Sequence, residues 1–154
     1  MSVEINPRAL AEKSEYAQGN TDKSALVWDG PSLRILVVDD QEINLLLARA
    51  LLANVGHAVV EAHNGEEAVA MWKQERFDAI LMDIQMPVMS GVEVVRAIRE
   101  RETERGGHVP ALALTARAMK EKRESLSAEG FDGYVAKPFS LAVLLDELRK
   151  CLPR

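Results

Sequence analysis

Asp78-Ala79-Ile80-Leu81-Met82-Asp83-Ile84-Gln85-Met86-Pro87 is an apolar run that ends on a carboxylate and passes into a loop. Ala79 to Met82 has the length and continuity of a strand buried on both faces. Asp83 stands where that strand leaves its sheet, and Pro87 prevents the strand from continuing. Taken alone, an Asp at a strand end is an ordinary turn former. The rest of the chain repeats the arrangement, and the repetition gives Asp83 a different meaning.

Arg34 to Val38 is a second apolar run, and it ends on Asp39-Asp40. Ala58 to Ala62 is a short strand whose Glu61 is expected to face solvent at a sheet edge. Pro110 to Leu114 runs into Thr115, and Gly133 to Ala136 runs into Lys137-Pro138. Helical patterns lie between these runs. Ile43, Leu46, Leu47, Ala50 and Leu51 form one apolar face at helical spacing. Asn64 with Glu67, and Ser90 with Glu93, have the spacing of capping boxes. Ala68, Val69 and Trp72 line the first of the helices they open, and Val92, Val95 and Ile98 line the second. Arg117 to Ala128 has helical propensity but only Met119 and Leu126 as large apolar residues. Ser140 caps a last helix with a stripe of Leu141, Leu144, Leu145 and Leu148. Five strands alternating with five helices predict a parallel sheet covered on both faces. Such sheets bind ligands at the carboxyl ends of their strands. Those ends carry Asp39, Asp40, Asp83, Thr115 and Lys137.

Composition narrows the function. The chain has 154 residues, a net charge of -5 and 47% hydrophobic residues. That is one folded unit of ordinary globular composition, acidic enough to argue against direct nucleic-acid binding. No apolar run approaches the ~20 residues of a membrane span. Met1-Ser2-Val3-Glu4 lacks the basic and apolar regions of a signal peptide. The single cysteine, Cys151, fits a reducing cytoplasm and reads as helix packing. Residues 1–32 are mixed and polar, closed by Pro31-Ser32, and are expected to form an arm or linker ahead of a domain spanning 33–154.

Carboxylates crowded at one sheet edge repel one another, and a divalent cation removes the conflict. Mg2+ takes oxygen ligands and keeps several waters. Asp39 or Asp40 together with Asp83 supplies two or three ligands, and the Gln85 carbonyl, just past the strand, supplies another. Lys137 is a point charge for phosphate oxygens, and the Thr115 hydroxyl is a donor. The set is suited to bringing a phosphoryl group to a carboxylate nucleophile, with Asp83 in that role.

Asp39-Asp40, the Asp83 strand with Met86-Pro87-Val88-Met89-Ser90-Gly91, Ala113-Leu114-Thr115-Ala116 and Tyr134-Val135-Ala136-Lys137-Pro138-Phe139 resemble the receiver domain of two-component response regulators. The combination of Pro110 to Ala116 with Asp132-Gly133-Tyr134 most resembles receivers of hybrid histidine kinases. The resemblance covers about Leu33 to Leu152. It implies a flavodoxin-like (βα)5 fold and phosphorylation of Asp83 by a phosphohistidine on a histidine kinase or histidine phosphotransfer protein. It implies Mg2+ held by Asp40, Asp83 and the Gln85 carbonyl with Asp39 close by, and Thr115 and Lys137 on the phosphoryl oxygens. Tyr134 becomes the aromatic switch residue, partnered with Thr115, and the Lys137-Pro138 peptide is expected to be cis. It leaves open a tether to a membrane sensor, with no membrane contact by this chain itself.

Two other functions fit parts of the pattern. A haloacid-dehalogenase-type phosphatase also uses a strand-end Asp and Mg2+, but Asp83-Ile84-Gln85 lacks the second acid two residues on. A pure docking module has no use for the acidic set with Lys137. The domain is therefore not expected to turn over small molecules as a free-standing enzyme. His57, His63 and His108 fall near turns and are expected at the surface. Trp28 and Trp72 are expected to be packing residues.

Overall fold

The computed structural model describes residues 26–116 and 120–152. Five parallel strands form one sheet: β1 (Arg34–Val38), β2 (Ala58–Ala62), β3 (Ala79–Asp83), β4 (Ala111–Thr115) and β5 (Gly133–Ala136). They lie in the order β2-β1-β3-β4-β5. Helices α1 (Glu42–Asn54), α2 (Gly65–Gln74), α3 (Gly91–Arg105), α4 (Lys120–Ala128) and α5 (Leu141–Cys151) alternate with them. This is the flavodoxin-like (βα)5 arrangement, with β3 at its centre and a topological switch point between β1 and β3. The predicted start of the α4 helix, Arg117 to Met119, lies outside the described residues.

Every residue of β3 and β4 is buried, as expected of apolar runs covered on both faces. Alternation along the strands sends side chains into two separate cores. Leu36, Val38, Ile80, Met82, Ala111 and Ala113 pack with Trp72 of α2, Val94, Val95 and Ile98 of α3, and Leu126 of α4. Ile35, Val37, Ala79, Leu81, Leu112 and Leu114 pack with Leu45, Ala48 and Leu52 of α1 and Leu144, Leu145 and Leu148 of α5. Local chemistry sets the helix starts. Ser90 and Glu93 form the reciprocal capping box at α3, a device whose Ser is worth ~1 kcal/mol. At α2, Asn64 accepts from the Glu67 amide at 2.8 Å, but the Glu67 carboxylate bonds the amide of His63, one residue before the cap.

Three further expectations change. The apolar face assigned to α1 is the outer one: Ile43, Leu46 and Leu47 are 67%, 58% and 41% exposed, while Leu45, Ala48 and Leu52 are fully buried. The α1 sequence carries two apolar stripes, and the smaller one faces the sheet. Leu51, half-buried beside the buried stripe, packs against that same core. Glu61 sits on edge strand β2 but does not point freely to solvent; it is half-buried and pairs with Arg49 of α1 at 3.2 Å. His57 is buried, whereas His63 and His108 are exposed.

Candidate functional site

The carboxyl ends of β1, β3, β4 and β5 meet at one edge of the sheet. Asp39 leaves β1 fully buried, and its Oδ1 accepts the Gln41 amide at 2.9 Å. Asp83 closes β3 at 3% exposure, and its Oδ1 accepts the Gln85 amide at 3.1 Å. Each carboxylate is thus fixed by the turn that follows it. Lys137 follows β5, and its amide donates to the Thr115 carbonyl at 2.7 Å, joining the ends of β4 and β5. Its ammonium reaches Asp39 Oδ2 at 3.3 Å and Asp83 Oδ1 at 3.2 Å. The Lys137-Pro138 peptide is cis. Thr115 is buried at the end of β4.

Carboxylate oxygens of Asp39, Asp40 and Asp83 lie within 4.8 Å of one another. Asp40, one residue beyond Asp39, is exposed at the mouth of the cluster. Burial pushes the Asp83 carboxyl above the usual carboxylate range; the Gln85 amide opposes this, Asp39 adds to it and Lys137 opposes it. A buried carboxylate held this way is poorly solvated and correspondingly basic. Among the described residues, three carboxylates against one ammonium leave an excess of negative charge. The donors are all hard oxygens, so the residues present suit Mg2+.

The loop after Asp83 is tightly determined. An ideal Cβ on Gly91 would lie 2.3 Å from the Asp83 carbonyl and 2.8 Å from Ile84 Cα, so only glycine lets α3 start this close to the site. Val88 sits in the left-handed region at φ 71 and is 99% exposed, an unusual conformation for a β-branched residue. Neither feature stood out in the sequence as part of the site. A signal for Gly91 was present, since a glycine directly after a capping Ser sacrifices helix propensity for some reason of space. Tyr134 is half-buried on β5, two register positions before Thr115's partner Ala136. With Leu126, Phe131 and Lys150 it lines a groove of ≈ 400 Å³. The structure thus gathers Asp39, Asp40, Asp83 and Lys137 by distance and places Thr115 and Gln85 at the same edge. Tyr134 lies two residues back along β5 from the partner of Thr115.

Comparison with known proteins agrees with this geometry. Residues 35–149 match the family model described as the response regulator receiver domain. The chain is 39% identical over 118 residues to hybrid signal transduction histidine kinase I of Dictyostelium discoideum, covering 73% of this chain and 7% of that protein. The chain spans 7% of that relative's length, and 12% and 18% of two curated relatives described as sensor proteins. Two solved structures are similar. One is the receiver domain of sensor histidine kinase PA1611 from Pseudomonas aeruginosa, described with a magnesium ion in its active-site cleft (TM-score 0.69, 37% identity, covering 79% of this chain and 98% of that one). The other is the complex of the Saccharomyces cerevisiae histidine phosphotransfer protein Ypd1 with the receiver domain of Ssk1 (TM-score 0.74, 30% identity, 79% and 89% covered).

Proposed function

The chain belongs to the response regulator receiver domain family, the phosphoacceptor module of two-component signalling, and from this premise we propose that Asp83 is its phosphoacceptor. The observation that carries the assignment is a buried carboxylate at the central strand end, 3.2 Å from a lysine ammonium, with two further carboxylates alongside. Among the described residues the Gln85 amide and the Lys137 ammonium both meet Asp83 at Oδ1, and we take Oδ2 as the attacking oxygen. The P–N bond of a phosphohistidine breaks as the P–O bond to Asp83 forms, and the imidazole nitrogen takes its electron pair and a proton from solvent. Lys137 and the Thr115 hydroxyl hold the transferred oxygens. Asp40, Asp83 and the Gln85 carbonyl, with Asp39 close by, would hold Mg2+, which supplies charge compensation for the incoming phosphoryl. Residues 1–32, of which 1–25 lie outside the described residues, are assigned as a linker or arm ahead of a domain spanning 33–154.

The donor is a histidine kinase or histidine phosphotransfer protein, and its docking surface is the outer face of α1. Ile43, Leu46 and Leu47 expose large apolar side chains one helix away from Asp83, the kind of patch that marks an interface. Among the described residues no helix is long and apolar enough to cross a membrane. The test is phosphotransfer from a phosphorylated histidine phosphotransfer protein, compared with uptake from acetyl phosphate. Leu46→Ala is expected to leave stability within ~0.5 kcal/mol, as for an exposed position. It should slow transfer from the protein donor about tenfold, the effect of ~1.4 kcal/mol of lost contact. Uptake from acetyl phosphate should not change. Equal slowing with both donors would place Leu46 outside the docking surface.

Phosphorylation is read out through Thr115 and Tyr134. A hydroxyl drawn toward the phosphoryl oxygens vacates space at the β4 end, and the Tyr134 ring turns inward from its groove between α4, β5 and α5. α4 is anchored on the core by Leu126. Near-complete switching of such an element takes ~5.5 kcal/mol of differential stabilisation. With beryllofluoride standing in for the phosphoryl group, amide exchange should change in residues 120–128 and around Tyr134 more than in α1. Change confined to the loops around Asp83 would leave a phosphate relay without a transmitted switch.

A further inference from the structure

At the opposite end of the sheet from Asp83, His57 carries the one buried side-chain nitrogen without a hydrogen-bond partner among the described residues. The ring is 4% exposed, and its Nδ1 accepts the Leu33 amide at 3.1 Å. An Nδ1 that accepts leaves the proton of the neutral ring on Nε2. That N–H is the orphaned atom, and its burial disfavours any further charge on the ring.

The chain reaching Leu33 lies over this histidine. The Trp28 indole meets the His57 ring edge-on, with centroids 4.8 Å apart at 74°. Trp28 Nε1 donates to the Pro31 carbonyl at 2.8 Å, closing a tight turn around Gly30. Ser32 Oγ donates to the Gly56 carbonyl at 2.6 Å. From α5, the Arg149 guanidinium lies over the indole at 5.3 Å and donates to the Val27 carbonyl. Residues 26–33 therefore touch the α1–β2 turn and α5 at once, and His57 lies beneath the junction.

We propose that residues 26–33 are an acid-released strap: Trp28 and Leu33 seat on neutral His57, and protonation of its Nδ1 unseats them. A proton on Nδ1 would point at the Leu33 N–H, turning an acceptor into a second donor, so both groups cannot remain in place. The charged group that acts on the ring is Asp78 from the α2–β3 turn, whose carboxylate also accepts the Arg34 amide of β1; Arg149 from α5 lies over the Trp28 indole that covers it. Asp78 favours the charged ring, but burial outweighs it and holds the His57 pKa below its ordinary 6.5. The sign follows. A folded pKa below the unfolded value means that the unfolded or unseated state binds more protons, so the strap is closed above 6.5 and is lost as pH falls through the folded pKa. The strap fixes where the preceding residues join the domain, and its release would free that junction without altering any group at Asp83.

Nitrogen-15 NMR of the full chain, titrated from about pH 7.5 to about pH 5, tests this in the pH range where histidine changes charge. The expected result is a His57 ring with its proton on Nε2 at the upper pH, titrating below 6.5, with the Leu33 amide and Trp28 indole signals moving at the same midpoint. His57→Gln should abolish that midpoint. Trp28→Ala should raise exchange of the Leu33 amide at the upper pH while acetyl phosphate still phosphorylates the chain. A His57 ring protonated on Nδ1 when neutral would overturn the proposal. So would a titration that leaves Leu33 and Trp28 unmoved, or a midpoint that persists in His57→Gln. The wild-type titration needs no variant, so a poorly folding substitution does not blunt the test. Loss of phosphorylation in Trp28→Ala would overturn the independence of the strap from the Asp83 site.

Discussion

Asp83→Asn abolishes phosphoryl uptake. After incubation with acetyl phosphate and Mg2+, the intact mass of the wild-type chain rises by one phosphate, and that of the variant stays at the unmodified value. An amide oxygen is a poor nucleophile, so the expected loss in rate is on the order of a thousandfold or more, the scale seen when a nucleophile is removed. The variant tests chemistry and not folding. Its amide oxygen still accepts from the Gln85 amide, the bond that sets the β3–α3 turn at 3.1 Å. Lys137 keeps Asp39 as a partner at 3.3 Å. Removing a charge that burial already disfavours costs the fold little. An adduct at wild-type level in Asp83→Asn would move the acceptor to Asp39 or Asp40.

Excess chelator stops uptake, and Asp40→Ala approaches the same result at ordinary Mg2+. The phosphoryl group brings about -1.5 to -2 charge to a cluster where three carboxylates face one ammonium. Two like charges about 4 Å apart repel by ~4 kcal/mol at the effective dielectric of a protein surface. At 1.36 kcal/mol per decade, one such uncompensated repulsion slows transfer by roughly a thousandfold. Lys137 is already shared between Asp39 and Asp83 and has little left to offer. Asp40 is the exposed member of the cluster, so its removal weakens cation binding without opening the core. Phosphorylation that proceeds equally well in chelator would show that the protein's own charges suffice.

The sheet and the polar residues gathered at its edge were legible in the sequence for the same physical reason. A strand covered on both faces must be apolar throughout, so the polar residue where it ends is conspicuous. Asp83, Thr115 and Lys137 each follow such a run, and Asp39 and Asp40 follow another. The errors came where a pattern had two solutions. In α1, Ile43-Leu46-Leu47 and Leu45-Ala48-Leu52 are both acceptable apolar stripes, and the choice of the weaker one is made by the sheet it must fit. The stronger stripe is left outside, available to a partner. His57 followed the rule that a turn histidine is exposed; its burial depends on Trp28, 29 positions earlier, which local reading could not connect to it. Glu61 was placed correctly on an edge, yet its pairing with Arg49 depends on how α1 lies over β2. Gly91 and Val88 serve the site by what they leave unfilled and by backbone conformation, neither of which alternation or helical spacing can reveal.

The division of the interior into two cores bears on how such a domain can diversify. The sheet acts as a bulkhead. The helices on one side are α1, with its exposed Ile43, Leu46 and Leu47, and α5, against which residues 26–33 lie; those on the other include α4, beside which Tyr134 packs. A substitution that loosens α4 is absorbed among Leu126, Phe131 and their neighbours and leaves Leu45, Ala48 and Leu52 undisturbed. If donor docking and output lie on these two sides as proposed, input recognition and output coupling would drift separately under selection. They remain joined only at the rim of the bulkhead, where Asp83, Thr115 and Lys137 come together.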